Sequence, residues 1–130
     1  PYIIRLLLIE LEREGRPNFF RINYDGHWET FKKGTVIAGN EKVMDWVQKE
    51  IENLPFATFT LGKALEETCR LWIESKKQED EEEEGLPKTL KEAFDEWYLE
   101  AAVLSGKVER RALYRVLTQE EIEKLKSSVG

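Results

Sequence analysis

A run of six consecutive acidic residues, Glu79 to Glu84, constrains the fold of this chain more than any other feature. Side chains of one charge sign at this density repel one another and seldom enter a packed core. We therefore predict an acidic flexible linker over residues 77–87, which joins an α+β subdomain (1–76) to a helical segment (88–130). The two parts can also pack together as one domain. In an alternative role, the acidic run covers a basic surface of the same chain.

Outside this run the charges balance. The formal net charge of the whole chain is −6, and the acidic run alone supplies that amount. The chain has 130 residues, which fits one domain or two very small ones. No apolar stretch approaches the ~20 residues that a membrane-spanning helix needs, so we expect no membrane among the partners.

Cysteine and histidine are too scarce for several classes of site. The chain has one cysteine, Cys69, and one histidine, His27. A single thiol excludes a disulfide scaffold and any site built from several thiolates, and a single imidazole removes most metal and acid–base sites. Cys69 falls on an apolar helix face, so we expect burial to raise its pKa and make it a poor nucleophile. We expect no cofactor, no metal and no catalytic residue.

The amino-acid usage bears on habitat. Charged residues make up 35% of the chain, which has one cysteine and one methionine and few Asn or Gln residues. Many charged and few thermolabile residues are typical of hyperthermophiles. We therefore expect a cytoplasmic protein from a thermophile.

The apolar patterning predicts an α+β fold. We expect a small antiparallel β-meander or hairpin packed on helices, followed by a three-helix C-terminal segment. Aromatic-rich runs at 19–24 and 27–31 flank Asp25-Gly26, which favours a tight hairpin with positive φ at both turn residues. Residues 34–38 can add a third strand.

Apolar spacing and capping residues mark the helices. Apolar residues at helical spacing predict a helix over 2–14, although a strand is possible there. Asn40 and Thr60 have the side chains of helix N-caps, and Thr89 and Thr118 each precede a Glu by three residues, as in a capping box. The predicted helices cover 2–14, 41–54, 61 onward, 89–104, 107–117 and 118–127.

The predicted helix over 107–117 carries the candidate site. At 100° per residue, its apolar residues fall on one half of the helix and its cations on the other. An outward face of one charge sign predicts an anionic partner, because arginine binds phosphate or carboxylate bidentately and tyrosine can stack on a base. In the alternative, acidic residues of the same fold neutralise these cations. The predicted binding residues are Lys107, Arg110, Arg111, Tyr114 and Arg115.

Three functions remain open. The first is a non-catalytic interaction module, an accessory subunit or adaptor of a nucleic-acid-handling assembly, which contacts DNA or RNA backbone or an acidic protein through this basic face. The second is a protein–protein interaction domain with no nucleic-acid contact. The third is a carboxylate- or metal-dependent enzyme around Asp25 and Glu29. A protein partner subunit is expected in the first two cases, and the sequence leaves the oligomeric state open.

Overall fold

A computed structural model describes residues 4–12, 14–79, 89–106 and 113–128. It confirms the α+β class, with a three-stranded and a two-stranded antiparallel sheet and four α-helices within those ranges. The strands are β1 (Leu6–Leu11), β2 (Pro17–Ile22), β3 (Trp28–Phe31), β4 (Ala102–Ser105) and β5 (Leu113–Val116). The helices are α1 (Glu41–Asn53), α2 (Leu61–Glu79), α3 (Leu90–Glu96) and α4 (Gln119–Ser128), with a 3-10 turn at Phe56–Thr58.

The predicted hairpin is confirmed as β2 and β3, but its turn differs from the one expected. Gly26 has a φ of 82°, whereas Asp25 does not have a positive φ. The Gly26 N–H donates to the Asn23 carbonyl at 3.0 Å, and the Asn23 N–H donates to the His27 carbonyl at 2.8 Å. A single left-handed glycine therefore closes a longer loop than the two-residue turn, in which both central residues need positive φ.

The predicted helix over 2–14 is wrong across Leu6–Leu11, which form strand β1. This strand pairs with β2 along its whole length, from Leu6 opposite Ile22 to Leu11 opposite Pro17. Gly15, with a φ of 79°, closes the turn into β2. The strand alternative is correct here. A short apolar run can bond its backbone N–H and C=O groups in a helix or in a sheet, and this run bonds them by pairing with β2.

Residues 34–38 do not form the predicted third strand. Their carbonyls accept hydrogen bonds from side chains instead: Gly34 from Gln48, Val36 from Arg21 and Ala38 from Arg5, at 3.0, 3.1 and 3.2 Å. These bonds attach the segment to α1 on one side and to the sheet on the other. Because side chains satisfy these carbonyls, the segment crosses between the two layers without joining the sheet.

Helices α1 and α2 begin after the predicted capping residues and pack against each other. The Asn40 side chain accepts hydrogen bonds from the first turn of α1, and the Thr60 hydroxyl accepts one from the Lys63 N–H. The buried face of α1 meets α2 in one apolar cluster, to which Val36 and Phe56 add partial cover. Its buried members are Val43, Val47, Ile51 and Leu71.

The C-terminal part differs from the predicted arrangement. The helix predicted over 89–104 begins after Thr89 as expected but ends at Glu96, and the chain then enters β4. The helix predicted over 107–117 is wrong for Leu113–Val116, which form β5 and pair with β4. The three helices in contact from residue 61 onward are α2, α3 and α4.

Side chains from both predicted parts of the chain share a second apolar cluster. Cys69 and Ile73 of α2 contact Leu90 and Ala93 of α3 there. Helix α2 continues to Glu79, so residues 77–79 of the predicted linker are helical, and residues 80–87 lie outside the described ranges. The division into 1–76 and 88–130 stays a prediction. No helix in the described part of the chain is long and apolar enough to cross a bilayer.

Candidate functional site

The predicted basic helix face does not extend over Leu113–Val116, which form β5. Tyr114 and Arg115 lie on β5, where successive side chains point to opposite faces of the sheet. Lys107, Arg110 and Arg111 lie outside the described residues. The row of cations at every fourth residue required an unbroken helix from 107 to 117, and pairing with β4 makes the end of that stretch extended instead.

Arg115 already has an anionic partner within the chain. Its Nη1 donates to Oε1 and Oε2 of Glu121 at 2.8 and 3.0 Å. Glu121 also accepts the Thr118 N–H at 3.2 Å and completes the predicted capping box of α4. The hydrogen bond from Arg115 holds the pKa of Glu121 below its usual value. The alternative in which acids of the same fold neutralise the cations is therefore correct for Arg115.

The carboxylates considered for catalysis have structural partners. Oδ1 of Asp25 accepts the backbone N–H of His27 at 2.9 Å, inside the hairpin turn. Oε2 of Glu29 accepts Nη2 of Arg21 at 2.9 Å and Nε of Arg21 at 3.3 Å. The Arg21 hydrogen bond lowers the pKa of Glu29 from its ordinary value. Among the described residues, no group of three His, Cys, Asp or Glu side chains could hold a metal ion.

Burial raises the pKa of the Cys69 thiol, as the sequence predicts. The sulfur lies in the apolar cluster between α2 and α3. A thiol with a raised pKa is mostly protonated at neutral pH and is a poor nucleophile.

Strand β1 carries the feature that the sequence reasoning missed. Four consecutive aliphatic residues, Leu6 to Ile9, are each 37–49% exposed. β1 lies at the edge of the sheet, and no described strand pairs with its outer side. Soluble proteins usually protect such an edge with lysine, proline or a bulge, and residues 6–9 contain no charge and no proline. We call residues Leu6–Ile9 the β1 surface.

One face of β1 borders a cleft of about 650 Å³ between the sheet and the helices. Leu7 and Ile9 form its sheet side together with Phe19. Aliphatic and aromatic side chains of α1 and α2 form the opposite side, including Val47 and Trp72. An open cleft with mostly apolar walls is the usual shape of a binding site for an apolar ligand or peptide segment.

The other face of β1 continues into an exposed apolar patch. Leu6 and Leu8 lie opposite Ile22 and Phe20 on β2. The Phe20 ring is 5.9 Å from the ring of Trp28 on β3, and Trp28 is 61% exposed. The strand is therefore apolar and open to solvent on both faces, which is unusual for a surface strand without a partner.

A second exposed patch surrounds the hairpin of β4 and β5. Tyr98 is 95% exposed, and Tyr114 and Val116 on β5 are also exposed. These three residues border a shallow cavity of about 430 Å³. Of the predicted site residues, Tyr114 is therefore accessible, and most of the described residues that border this cavity with it are apolar or aromatic, with no cation among them.

A sequence signal for the β1 surface was present. The stretch Leu6-Leu7-Leu8-Ile9 is apolar at every position, so it matches neither the alternation of a half-buried strand nor the polar face of a surface helix. An uninterrupted apolar stretch in so short a domain indicates either a buried strand or an interaction surface.

Comparison with protein-family models, curated proteins and solved structures gives no match.

Proposed function

We propose that this chain is a non-catalytic protein–protein interaction module that binds an apolar segment of a partner protein along the β1 surface and in the adjoining cleft. The observation that carries the proposal is the exposure of Leu6 to Ile9, four aliphatic residues in a row on an edge strand. Contiguous exposed apolar surface on a folded domain is typical of a site where another protein binds.

The chemistry of the cleft indicates an extended apolar segment as the ligand. An edge strand offers unpaired backbone N–H and C=O groups, to which an extended peptide can add as a further strand. Alternate side chains of such a peptide would then enter the cleft beside Leu7 and Ile9. Covering each half-exposed aliphatic residue of β1 contributes on the order of 1 kcal/mol to binding.

The nucleic-acid hypothesis has less support. It depended on a face of several unpaired cations, and the guanidinium of Arg115 is paired with Glu121. Tyr114 is accessible but lies on the opposite face of the hairpin from Arg115. A role as accessory subunit of a nucleic-acid-handling assembly stays a prediction, whereas the apolar surface supports contact with protein.

Site-specific crosslinking tests the proposal. A photoactivated amino acid at Ile9 is expected to crosslink one particular protein in cells, and the same group at Lys124, exposed on α4, is not. The captured protein is then purified and its affinity for the full chain is measured directly. Ile9→Glu is expected to weaken binding by about tenfold or more. Lys124→Glu is expected to leave it within about twofold.

Equal affinity of the Ile9→Glu variant and the unmodified chain for that protein would contradict the proposal. Crosslinking that is as strong from position 124 as from position 9 would contradict it as well. Circular dichroism of each variant confirms that loss of binding is not loss of folding.

A further inference from the structure

We infer that β1 pairs in antiparallel orientation with β1 of a second copy of this chain, so that two three-stranded sheets join into one six-stranded sheet. This inference rests on the proposed function, since it names a partner for the same β1 surface. It adds that the surface is used symmetrically and that the chain works as a homodimer.

The edge of β1 is suitable for such pairing. Its backbone is regular enough to pair with β2 at six consecutive positions, without a bulge. Gly106 lies against the Leu11 side chain and so covers the C-terminal end of β1. Residues Leu6 to Ile9 remain exposed, and this is the stretch that the second copy would cover.

The sequence of β1 is compatible with itself in antiparallel orientation. A two-fold axis perpendicular to the sheet keeps every side chain on its own face. Each residue therefore lies opposite a residue of the second copy whose sequence number is the same or differs by an even number. With the axis at Leu7, Leu6 lies opposite Leu8; with the axis at Leu8, Leu7 lies opposite Ile9. Apolar side chains therefore meet apolar side chains in the middle of the strand in both registers.

The single charge of β1 also favours the antiparallel orientation. Glu10 is the only charged residue within Leu6–Leu11. In either register, the two copies of Glu10 lie at opposite ends of the paired strands. Parallel in-register pairing would place them side by side, and like charges directly opposite each other destabilise a sheet.

The available area indicates a weak but specific dimer. Ile4 and the four residues of the β1 surface are each 37–49% exposed, which corresponds to roughly 400 Å² of apolar area per copy. Two copies would bury up to about 800 Å² of apolar surface in addition to the paired backbone, near the lower limit for biological interfaces. We expect a dissociation constant of roughly 10–100 µM.

Sedimentation equilibrium of the full chain from about 5 to about 500 µM tests this inference. The unmodified chain is expected to pass from monomer to dimer over this range. Leu8→Lys and Leu8→Glu are each expected to remain monomeric, because the like charges then lie directly opposite each other with the axis at Leu8 and diagonally across the strand pair with the axis at Leu7. An equimolar mixture of these two variants is expected to dimerise, because the introduced ammonium and carboxylate groups then lie opposite or diagonal to each other in the two registers.

Tyr98→Lys provides the matched control. It places the same charge on an exposed residue of the second patch, away from β1, and is expected to dimerise like the unmodified chain. Dimerisation of the mixture also shows that both Leu8 variants are folded, since unfolded copies would not pair.

Three results would overturn the inference: a monomer at every concentration, dimers of each Leu8 variant alone, or no dimer in their mixture. These results are distinct from failure of the proposed function. A monomeric chain that binds another protein through Ile9 leaves the proposed function standing and removes the homodimer. A dimer that captures no other protein supports the homodimer and means that the partner of the β1 surface is β1 of the second copy.

Discussion

At the scale of single residues, two buried arginines attach the sheet to the rest of the molecule. The side chains of Arg5 and Arg21 are 10% and 9% exposed. Arg5 donates to the Ala38 carbonyl and to the Glu41 carboxylate, and Arg21 donates to the Val36 carbonyl as well as to Glu29. Buried guanidinium groups need such partners, because an unpaired buried charge destabilises the fold strongly.

The Arg21–Glu29 pair makes stability depend on pH. The hydrogen bond from Arg21 lowers the pKa of Glu29 in the folded state from its ordinary value of 4.5. A carboxyl group with a lowered folded-state pKa contributes stability that is present above about pH 4.5 and is lost as the pH falls through the folded-state pKa. The urea midpoint of the unmodified chain is therefore expected to fall with pH below about 4.5.

Glu29→Gln is the variant that isolates this contribution. It lacks the titrating group, so its urea midpoint is expected to change less steeply over the same pH range. Glu12 and Glu121 have lowered pKa values too, so part of the slope is expected to persist. Identical slopes in the variant and the unmodified chain would show that Glu29 does not contribute.

At the scale of elements, the sequence predicted the helix starts, which depend on neighbouring residues, and missed the strand pairing, which depends on distant residues. The helix starts after Asn40, Thr60, Thr89 and Thr118 are confirmed, because a cap is a bond between a side chain and a backbone N–H two or three residues away. Helices were predicted over β1, where a strand was left open, over most of β4 and over β5. Strand pairing decides the conformation of these segments, and apolar spacing does not show it.

The candidate site was missed for the same reason. The basic face required helical geometry through residue 115, and the pairing of Arg115 with Val103 makes the chain extended at that residue. The exposure of Leu6 to Ile9 depends on which elements cover the sheet, so the apolar run marks the segment without showing whether it is exposed. An uninterrupted apolar run is equally consistent with a buried strand.

Gly34 shows how closely the segment of residues 34–38 approaches α1. A Cβ atom added at this position would lie 3.0 Å from Cγ2 of Ile51, and the φ of Gly34 is 153°. Gly34→Ala is expected to destabilise the fold by about 1–2 kcal/mol, because the segment or the Ile51 side chain must move. Urea denaturation at a fixed protein concentration measures the difference.

Gly39→Ala, one residue beyond the segment 34–38, is the control for Gly34. Nothing lies within 4 Å of a Cβ atom added at Gly39. We expect a change in unfolding free energy of less than about 0.5 kcal/mol. If both variants lose the same stability, the close approach to Ile51 is not the cause.

At the scale of the whole molecule, one apolar cluster joins elements on both sides of the acidic run. Ile73 on α2 and Ala93 on α3 lie on opposite sides of the run and share one apolar cluster. The rings of Trp72 and Trp97 also meet across it, with centroids 5.2 Å apart. Domains that share a core are expected to unfold together, whereas domains joined by a linker alone can unfold separately.

Ile73→Ala tests whether the two parts unfold as one unit. Ile73 is buried, and its truncation is expected to cost about 2–4 kcal/mol. Because α1 and α3 both pack on α2, tryptophan fluorescence and far-UV circular dichroism are expected to report one coincident transition at a lower urea concentration. Ile37→Ala, at a partly exposed position, is expected to cost less than about 1 kcal/mol. Two separated transitions in the Ile73 variant would mean that the parts on either side of the acidic run fold independently.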